Sequence, residues 1–135
     1  MKLWVKITIS VVGVACAVPL LVIAAFLYTA GDMCGNYPHK EYFSPNKKYK
    51  AVVFQRDCGA TTGFSTQISI IKASESLINE SGNIYIIKGH PEKVAPSLIW
   101  RSNSELQINR PLSGKEFHAV SKWGWLKVTY SAGNS

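Results

Sequence analysis

One uninterrupted apolar run, residues 7–30, most constrains what this chain can fold into. The run holds 24 residues without a charged side chain, and Lys2 and Lys6 precede it. At about 1.5 Å per residue a helix of this length reaches roughly 36 Å, enough to cross a hydrocarbon core of about 30 Å with some tilt. Residues 1–30 are therefore predicted to form a transmembrane signal anchor, with residues 7–30 in contact with the lipid bilayer.

Two kinds of cleavable leader compete with this prediction. A secretory signal peptide has an apolar core of about 7–15 residues and ends in a small-x-small site. Here the run is longer, and the bulky Tyr28 occupies a position at which the cleavage site requires a small residue. A lipoprotein signal would place its cysteine first in the mature chain, but the apolar run continues past Cys16. The uncleaved anchor is therefore favoured, and cleavage stays open as the alternative.

The basic residues that flank the run predict its orientation. Lys2 and Lys6 precede it, and the next basic residue after it is Lys40. The positive-inside rule therefore predicts a cytoplasmic N-terminus and an extracytoplasmic C-terminal domain.

The 105 residues after the run suffice for one small hydrophobic core. They carry thirteen basic and eight acidic residues, a net charge of +5. This charge favours anionic lipid headgroups or an acidic protein partner, and nucleic acid is not expected outside the cytoplasm. No cysteine or histidine spacing typical of a metal site occurs, so neither a metal nor another cofactor is predicted.

Two of the three cysteines are predicted to form a disulfide. Cys16 lies within the apolar run, whereas Cys34 and Cys58 follow it at a separation of 24 residues. An oxidising compartment would allow these two to pair. The chain-entropy model gives such a bridge about 3 kcal/mol of stabilisation.

The remaining sequence predicts a small all-β domain. Residues 31–44 lack periodicity and are expected to form a stalk, residues 45–130 the domain, and residues 131–135 a loose tail. Turn residues separate short β-type runs, which are residues 49–56, 65–72, 82–88, 96–101, 105–109 and 123–130. The predicted fold is a single transmembrane helix followed by six or seven strands in an antiparallel meander or sandwich.

Part of this region resembles a known group of sequences. The residues that carry the resemblance are Ser44-Pro45, Ala51-Val52-Val53-Phe54, Arg56-Asp57-Cys58-Gly59-Ala60-Thr61-Thr62 and Ser65-Thr66. In these residues the chain resembles an uncharacterised family of small bacterial membrane-anchored or envelope proteins. The resemblance implies a bacterial source and this architecture, and it implies no catalytic residue.

Residues 56–66 concentrate the functional groups of the domain. The candidate binding residues are Arg56, Asp57, Thr61, Thr62 and Ser65, together with His90 further along the chain. Glycines and hydroxyls in such a loop can approach an anion or a carbonyl group. The favoured interpretation is nevertheless a disulfide-stapled hairpin loop, in which these side chains bond the local backbone and Asp57 pairs with Arg56 or caps a turn.

A hydrolase is a weaker alternative for this loop. Ser65, His90 and Asp57 supply the residue types of a catalytic triad. No G-x-S-x-G motif surrounds any serine, however, so no catalytic residue is assigned and the chain is not predicted to be an enzyme.

The tryptophans offer a second candidate surface. A period of two would place Trp123 and Trp125 on one face of a strand, where they could line a groove for peptide, glycan or lipid. The alternative is that such rings fill the core, which is the expectation for Trp100.

Taken together, these features predict a membrane-anchored extracytoplasmic binding or structural module at the bacterial cytoplasmic membrane. A protein partner is expected, and one version is an immunity-type factor that blocks a toxin entering the envelope. The alternatives are an envelope ligand receptor or hydrolase that uses residues 56–66, and a small accessory subunit of a membrane complex.

Overall fold

The computed structural model describes residues 2–30, 34–59 and 63–132, without the side chains of residues 28–30. The chain divides into two compact units, Met1–Met33 and Cys34–Ser135. The first contains helix α1, Leu3–Ala30, with Pro19 inside it. Within this helix, Leu3–Leu27 is long and apolar enough to cross a membrane, with a mean hydropathy of 2.6. A signal sequence would meet the same criteria, so the helix is a candidate anchor.

The second unit is a small β domain, as predicted from the sequence. Nine strands and one short helix lie in its described part. They are β1 Gly35–Phe43, β2 Tyr49–Asp57, β3 Ser65–Lys72, β4 Tyr85–Lys88, α2 Pro91–Val94, β5 Leu98–Ser102, β6 Glu105–Ile108, β7 His118–Ala119, β8 Lys122–Trp123 and β9 Leu126–Tyr130.

The strands form two sheets around one core. The first sheet has the order β1-β2-β3-β4-β7 with antiparallel neighbours, and the second has the order β5-β6-β9-β8. Both sheets contribute to the buried apolar cluster, which comprises Ala51, Val53, Ile68, Ile70, Ile84, Tyr85, Ile87, Leu98, Leu106, Ile108, Leu126 and Val128. The domain is therefore a small sandwich whose first four strands form a meander.

One pairing departs from the antiparallel expectation, because β6 and β9 run parallel. After β6 the chain contributes β7 to the first sheet and then returns as β8 and β9 to the second. A crossover of this kind, longer than a hairpin turn, allows two strands of one sheet to run in the same direction.

The predicted stalk was wrong over most of its length, because Gly35–Phe43 forms strand β1. This strand pairs with β2 from Gly35 opposite Asp57 to Phe43 opposite Lys50. It lies at the edge of the sheet and most of its residues are exposed, so it has no apolar alternation that the sequence could reveal. The domain accordingly begins at Cys34, not at residue 45.

The predicted disulfide is present, since Cys34 and Cys58 are joined by an S–S bond of 2.07 Å. The bridge closes the open end of the β1–β2 hairpin, next to the pair formed by Gly35 and Asp57. It therefore holds the first residue of the β domain to the end of a central strand.

Residues 78–83 cross the face of the first sheet that points away from the core. Gly82 donates its N–H to Gln67 Oε1 at 2.6 Å, and Asn83 donates to Ser69 Oγ at 3.2 Å. Asn36 donates to the carbonyl groups of Ile78 and Glu80. This segment covers part of the outer face and leaves the ends of β2, β3 and β4 open.

Candidate functional site

An open cleft of about 380 Å³ lies on the uncovered part of this outer face. Its described lining residues are Arg56, Cys58, Gly63, Phe64, Ser65, Gln67, Ile86, Lys88 and Phe117. The strand register explains their convergence, since Arg56 lies opposite Ser65 and Ser65 lies opposite Lys88. Directly opposed residues project to the same face of a sheet, so three adjacent strands contribute one row of side chains to the cleft.

Two phenylalanines form the apolar part of the cleft. Phe64 is 46% exposed and Phe117 is 68% exposed. Phe64 contacts the His90 ring edge-on, with 5.8 Å between ring centroids. Phe117 donates its backbone N–H to the carbonyl of Ile86 at 2.9 Å, which ties its loop to β4. Large exposed rings in a concave site are typical of binding surfaces.

The loop before Phe117 is held by hydrogen bonds from its backbone and a hydroxyl to a carboxylate of the same loop. Glu116 accepts hydrogen bonds from the backbone N–H and the hydroxyl of Ser113 and from the N–H of Gly114. The Ser113 N–H is the largest cause that lowers the pKa of Glu116 to about 2. This negative charge is thus satisfied within its own loop.

The cleft itself is positively charged. Arg56 donates from Nη1 to Asn36 Oδ1 at 2.7 Å and to Asn79 Oδ1 at 3.0 Å, so neutral amides orient its guanidinium. Lys88 is exposed at the end of β4. Among the described residues the single ion pair joins Lys50 and Glu41, and no carboxylate lines the cleft. The arrangement suits a ligand that carries an anionic group and an apolar group.

Other predicted site residues lie near the cleft, but their side chains form hydrogen bonds with neighbouring residues. Asp57 accepts from the N–H of Gly59 at 3.0 Å, which corresponds to the turn cap, one of the two roles predicted for it. Ser65 donates to the carbonyl of Arg56 at 3.4 Å and accepts from Gln67 Nε2 at 2.8 Å. His90 caps α2 by accepting from the N–H of Glu92 at 3.3 Å.

These bonds do not form a catalytic arrangement of Ser65, His90 and Asp57. Each polar side chain has a local partner, and none of the three bonds another. Thr61 and Thr62 lie outside the described residues. The described residues also contain no group of three His, Cys, Asp or Glu side chains that could hold a metal ion.

The prediction that Trp123 and Trp125 share one face of a strand was wrong. Strand β8 ends at Trp123, and Gly124 turns the chain with a φ of 57°. Trp123 is half-buried against the core, whereas Trp125 is 44% exposed and contacts Tyr49. Trp100 packs against the core as expected, and its Nε1 donates to the carbonyl of Tyr42 at 2.9 Å.

Sequence reasoning found Arg56 and Ser65 but missed the other principal members of the cleft. Phe64 lies within residues 56–66, yet its ring was not singled out. Lys88 ends an apolar strand and Phe117 stands in a polar loop, so neither has a local pattern that indicates a site. Only the pairing of β4 with β3 and the return of the chain past β4 bring them together.

The sequence shows no significant match to any protein-family model, curated protein or solved structure. The geometry of the described residues and the N-terminal helix are therefore the features from which a function can be proposed.

Proposed function

We propose that this chain is a single-pass, membrane-anchored extracytoplasmic binding module of a bacterial envelope. Its cleft between Phe64 and Phe117 binds an acidic segment of a partner protein that also presents an apolar side chain. The observation that carries this proposal is the combination of two exposed phenylalanines with the charges of Arg56 and Lys88. The described lining of the cleft contains no carboxylate that would neutralise these charges.

Three features support the location. Helix α1 meets the length and hydropathy of a membrane span. Lys2 and Lys6 precede it, which favours a cytoplasmic N-terminus. The Cys34–Cys58 disulfide fits an oxidising compartment outside the cytoplasm. A domain held in this way would meet its partner at the outer face of the cytoplasmic membrane.

The energetics of the cleft favour a partner that fills it. Full burial of a phenylalanine side chain contributes roughly 1.5–3 kcal/mol. A hydrogen bond to a charged group contributes about 1.5–3 kcal/mol. Phe64 and Phe117 would therefore act as the apolar anchors, and Arg56 and Lys88 would select an acidic partner. A toxin bound by an immunity-type factor and a subunit of a membrane complex are two partners that would fit this chemistry.

A small-molecule receptor is the second candidate, because the cleft volume of about 380 Å³ falls within the range of ligand pockets. Such a receptor would take an anionic amphiphile in the same place. The two candidates differ in whether Phe117 contacts another polypeptide.

The test is site-specific photo-crosslinking of the full chain in the membranes of its native host. A benzophenone side chain replaces Phe117 in one variant and Leu112 in the control. Leu112 is 53% exposed and precedes Phe117 in the chain, but it does not line the cleft. We expect a discrete protein adduct from position 117 and none from position 112.

Charge reversal completes the design. Lys88→Glu should abolish the adduct, whereas Lys122→Glu, an equal change at an exposed residue of β8, should preserve it. Equal adducts from both positions, or an adduct that survives Lys88→Glu, would refute the acidic-partner proposal. No protein adduct at position 117 would also refute it and would favour the small-molecule receptor.

A further inference from the structure

Three hairpin turns meet at the other end of strand β2 from the cleft. They connect β1 to β2, β5 to β6, and β8 to β9. The backbone N–H of Asn46 in the first turn donates to Oδ1 of Asn103 in the second at 3.0 Å. Tyr49 lies seven residues before Arg56 on β2, a distance of about 23 Å along an extended strand. The two places are therefore separate.

A shallow depression of about 370 Å³ lies between these turns. Its described lining residues are Asn46, Tyr49, Asn103, Ser104 and Trp125. The Tyr49 and Trp125 rings are 4.8 Å apart between centroids and tilted by 53°, so they form two inclined apolar walls. The exposed indole of Trp125 comes from a turn whose other residue, Gly124, adopts a positive φ. Loops held on a rigid scaffold in this way often carry binding sites.

The polar groups of the depression are neutral. Asn46 uses its Oδ1 to accept from the Ser44 hydroxyl and the Lys48 N–H. Asn103 uses its Oδ1 to accept from Asn46. Among the described residues, neither side-chain Nδ2 has a hydrogen-bond partner, so two amide groups remain as donors. The lining residues that the structure describes include no ammonium, guanidinium, imidazole or carboxylate group.

We propose that this depression is a binding site for a neutral saccharide. A sugar ring presents an apolar C–H face and a rim of hydroxyls. The C–H face would stack on the Trp125 indole, with Tyr49 as the second wall. The rim hydroxyls would accept hydrogen bonds from Asn46 and Asn103 Nδ2 and pair with the Ser104 hydroxyl. An apolar wall with a few placed neutral donors is the composition expected of a small-ligand site.

The depression shares no described lining residue with the Phe64–Phe117 cleft, so binding at one does not require binding at the other. The full chain is studied in a zwitterionic detergent, because detergents with sugar headgroups would compete for the site. Soluble tetramers of β-1,4-linked N-acetylglucosamine, β-1,4-linked glucose and α-1,4-linked glucose are the probes. The readout is the ¹⁵N–H signal of each tryptophan indole.

At least one tetramer should shift the Trp125 indole signal in a saturable way. The Trp100 indole should not shift, because its N–H already bonds the Tyr42 carbonyl. Trp125→Ala, which lacks the reporting indole and is therefore followed by isothermal titration calorimetry beside the unmodified chain, should weaken binding at least about tenfold, as expected when a central aromatic contact is lost. Trp123→Phe is the matched control, since Trp123 packs against the core, and it should preserve binding. Lys88→Glu should also preserve it.

Two results would overturn the proposal. The first is that none of the three tetramers shifts the Trp125 signal of the unmodified chain, a measurement that does not require any variant to fold. The second is that Trp125→Ala binds the tetramer as tightly as the unmodified chain does, because the indole would then not hold the sugar ring.

Discussion

Two neighbouring tyrosines should respond in opposite directions to the loss of one hydroxyl. Tyr85 and Tyr130 are in ring contact, with 6.0 Å between centroids. Tyr85 is 0% exposed, and its hydroxyl has no hydrogen-bond partner among the described residues. The Tyr130 hydroxyl donates to the carbonyl of Val120 at 2.6 Å. Replacing each tyrosine by phenylalanine removes the same atom from two different environments.

The expected magnitudes follow from these environments. A buried hydroxyl without a partner costs about 1–3 kcal/mol. Tyr85→Phe removes this cost but leaves a small void where the hydroxyl was, so the free energy of unfolding should rise by about 1 kcal/mol. Tyr130→Phe loses a hydrogen bond worth about 0.5–1.5 kcal/mol and should lower the free energy of unfolding by about 1 kcal/mol. For a domain of about 100 residues, 1 kcal/mol shifts Tm by about 4–8 °C.

The pH dependence gives a second check on the same residues. Burial raises the pKa of Tyr85, and burial is also the largest cause that raises the pKa of Tyr130 to about 12. The unfolded chain releases these protons near pH 10, before the folded chain does. Unfolding is therefore favoured increasingly as the pH rises from about 10 to 12, and Tyr130→Phe should reduce this slope.

The assay is thermal unfolding of the full chain in zwitterionic micelles, followed by tryptophan fluorescence. The Tyr85→Phe variant should unfold at a higher temperature than the unmodified chain, and the Tyr130→Phe variant at a lower temperature. If Tyr85→Phe lowers Tm as much as Tyr130→Phe does, the Tyr85 hydroxyl has a stabilising partner and the reasoning is refuted.

Two further predictions use the same assay. A Cβ atom at Gly82 would lie 2.9 Å from the Gln67 Cβ and from the Ile68 carbonyl oxygen, so Gly82→Ala should cost about 1–3 kcal/mol. Gly63, where the space is open, is the control, and an equal loss from Gly63→Ala would contradict the steric argument. Replacing both Cys34 and Cys58 by serine should cost about 3–4 kcal/mol, because the bridge closes a loop across 24 residues. An unchanged Tm in that variant would show that the β1–β2 hairpin is held without the bridge.

The sequence predicted those elements whose signal is local. The uncharged run predicted α1, and its length alone was sufficient. Apolar runs between turn residues located β2 and β3 to within a residue. The cysteine count and the expected compartment predicted the disulfide. The helix and the two strands each have a pattern in consecutive residues, and the disulfide depends on the chemistry of the thiol group.

Elements without a local signal were missed. Strand β1 is mostly exposed, and strands β7 and β8 are two residues long. A strand of this kind exists because a neighbouring strand pairs with its backbone, and backbone pairing leaves no trace in the side chains. The Trp123–Trp125 prediction failed because a turn at Gly124 interrupts the period of two.

By itself the sequence determined a candidate anchor, a small all-β domain and a bridged pair of cysteines, because hydropathy, short-range periodicity and thiol chemistry are properties of the residues themselves. Only the tertiary structure decided that Lys88 and Phe117 join Arg56 in one cleft, and that Asn103 and Trp125 meet at the far end of β2. Both sites assemble residues from separate strands and turns. Their proximity follows from strand register and from the path of the chain between two sheets, which no local pattern encodes.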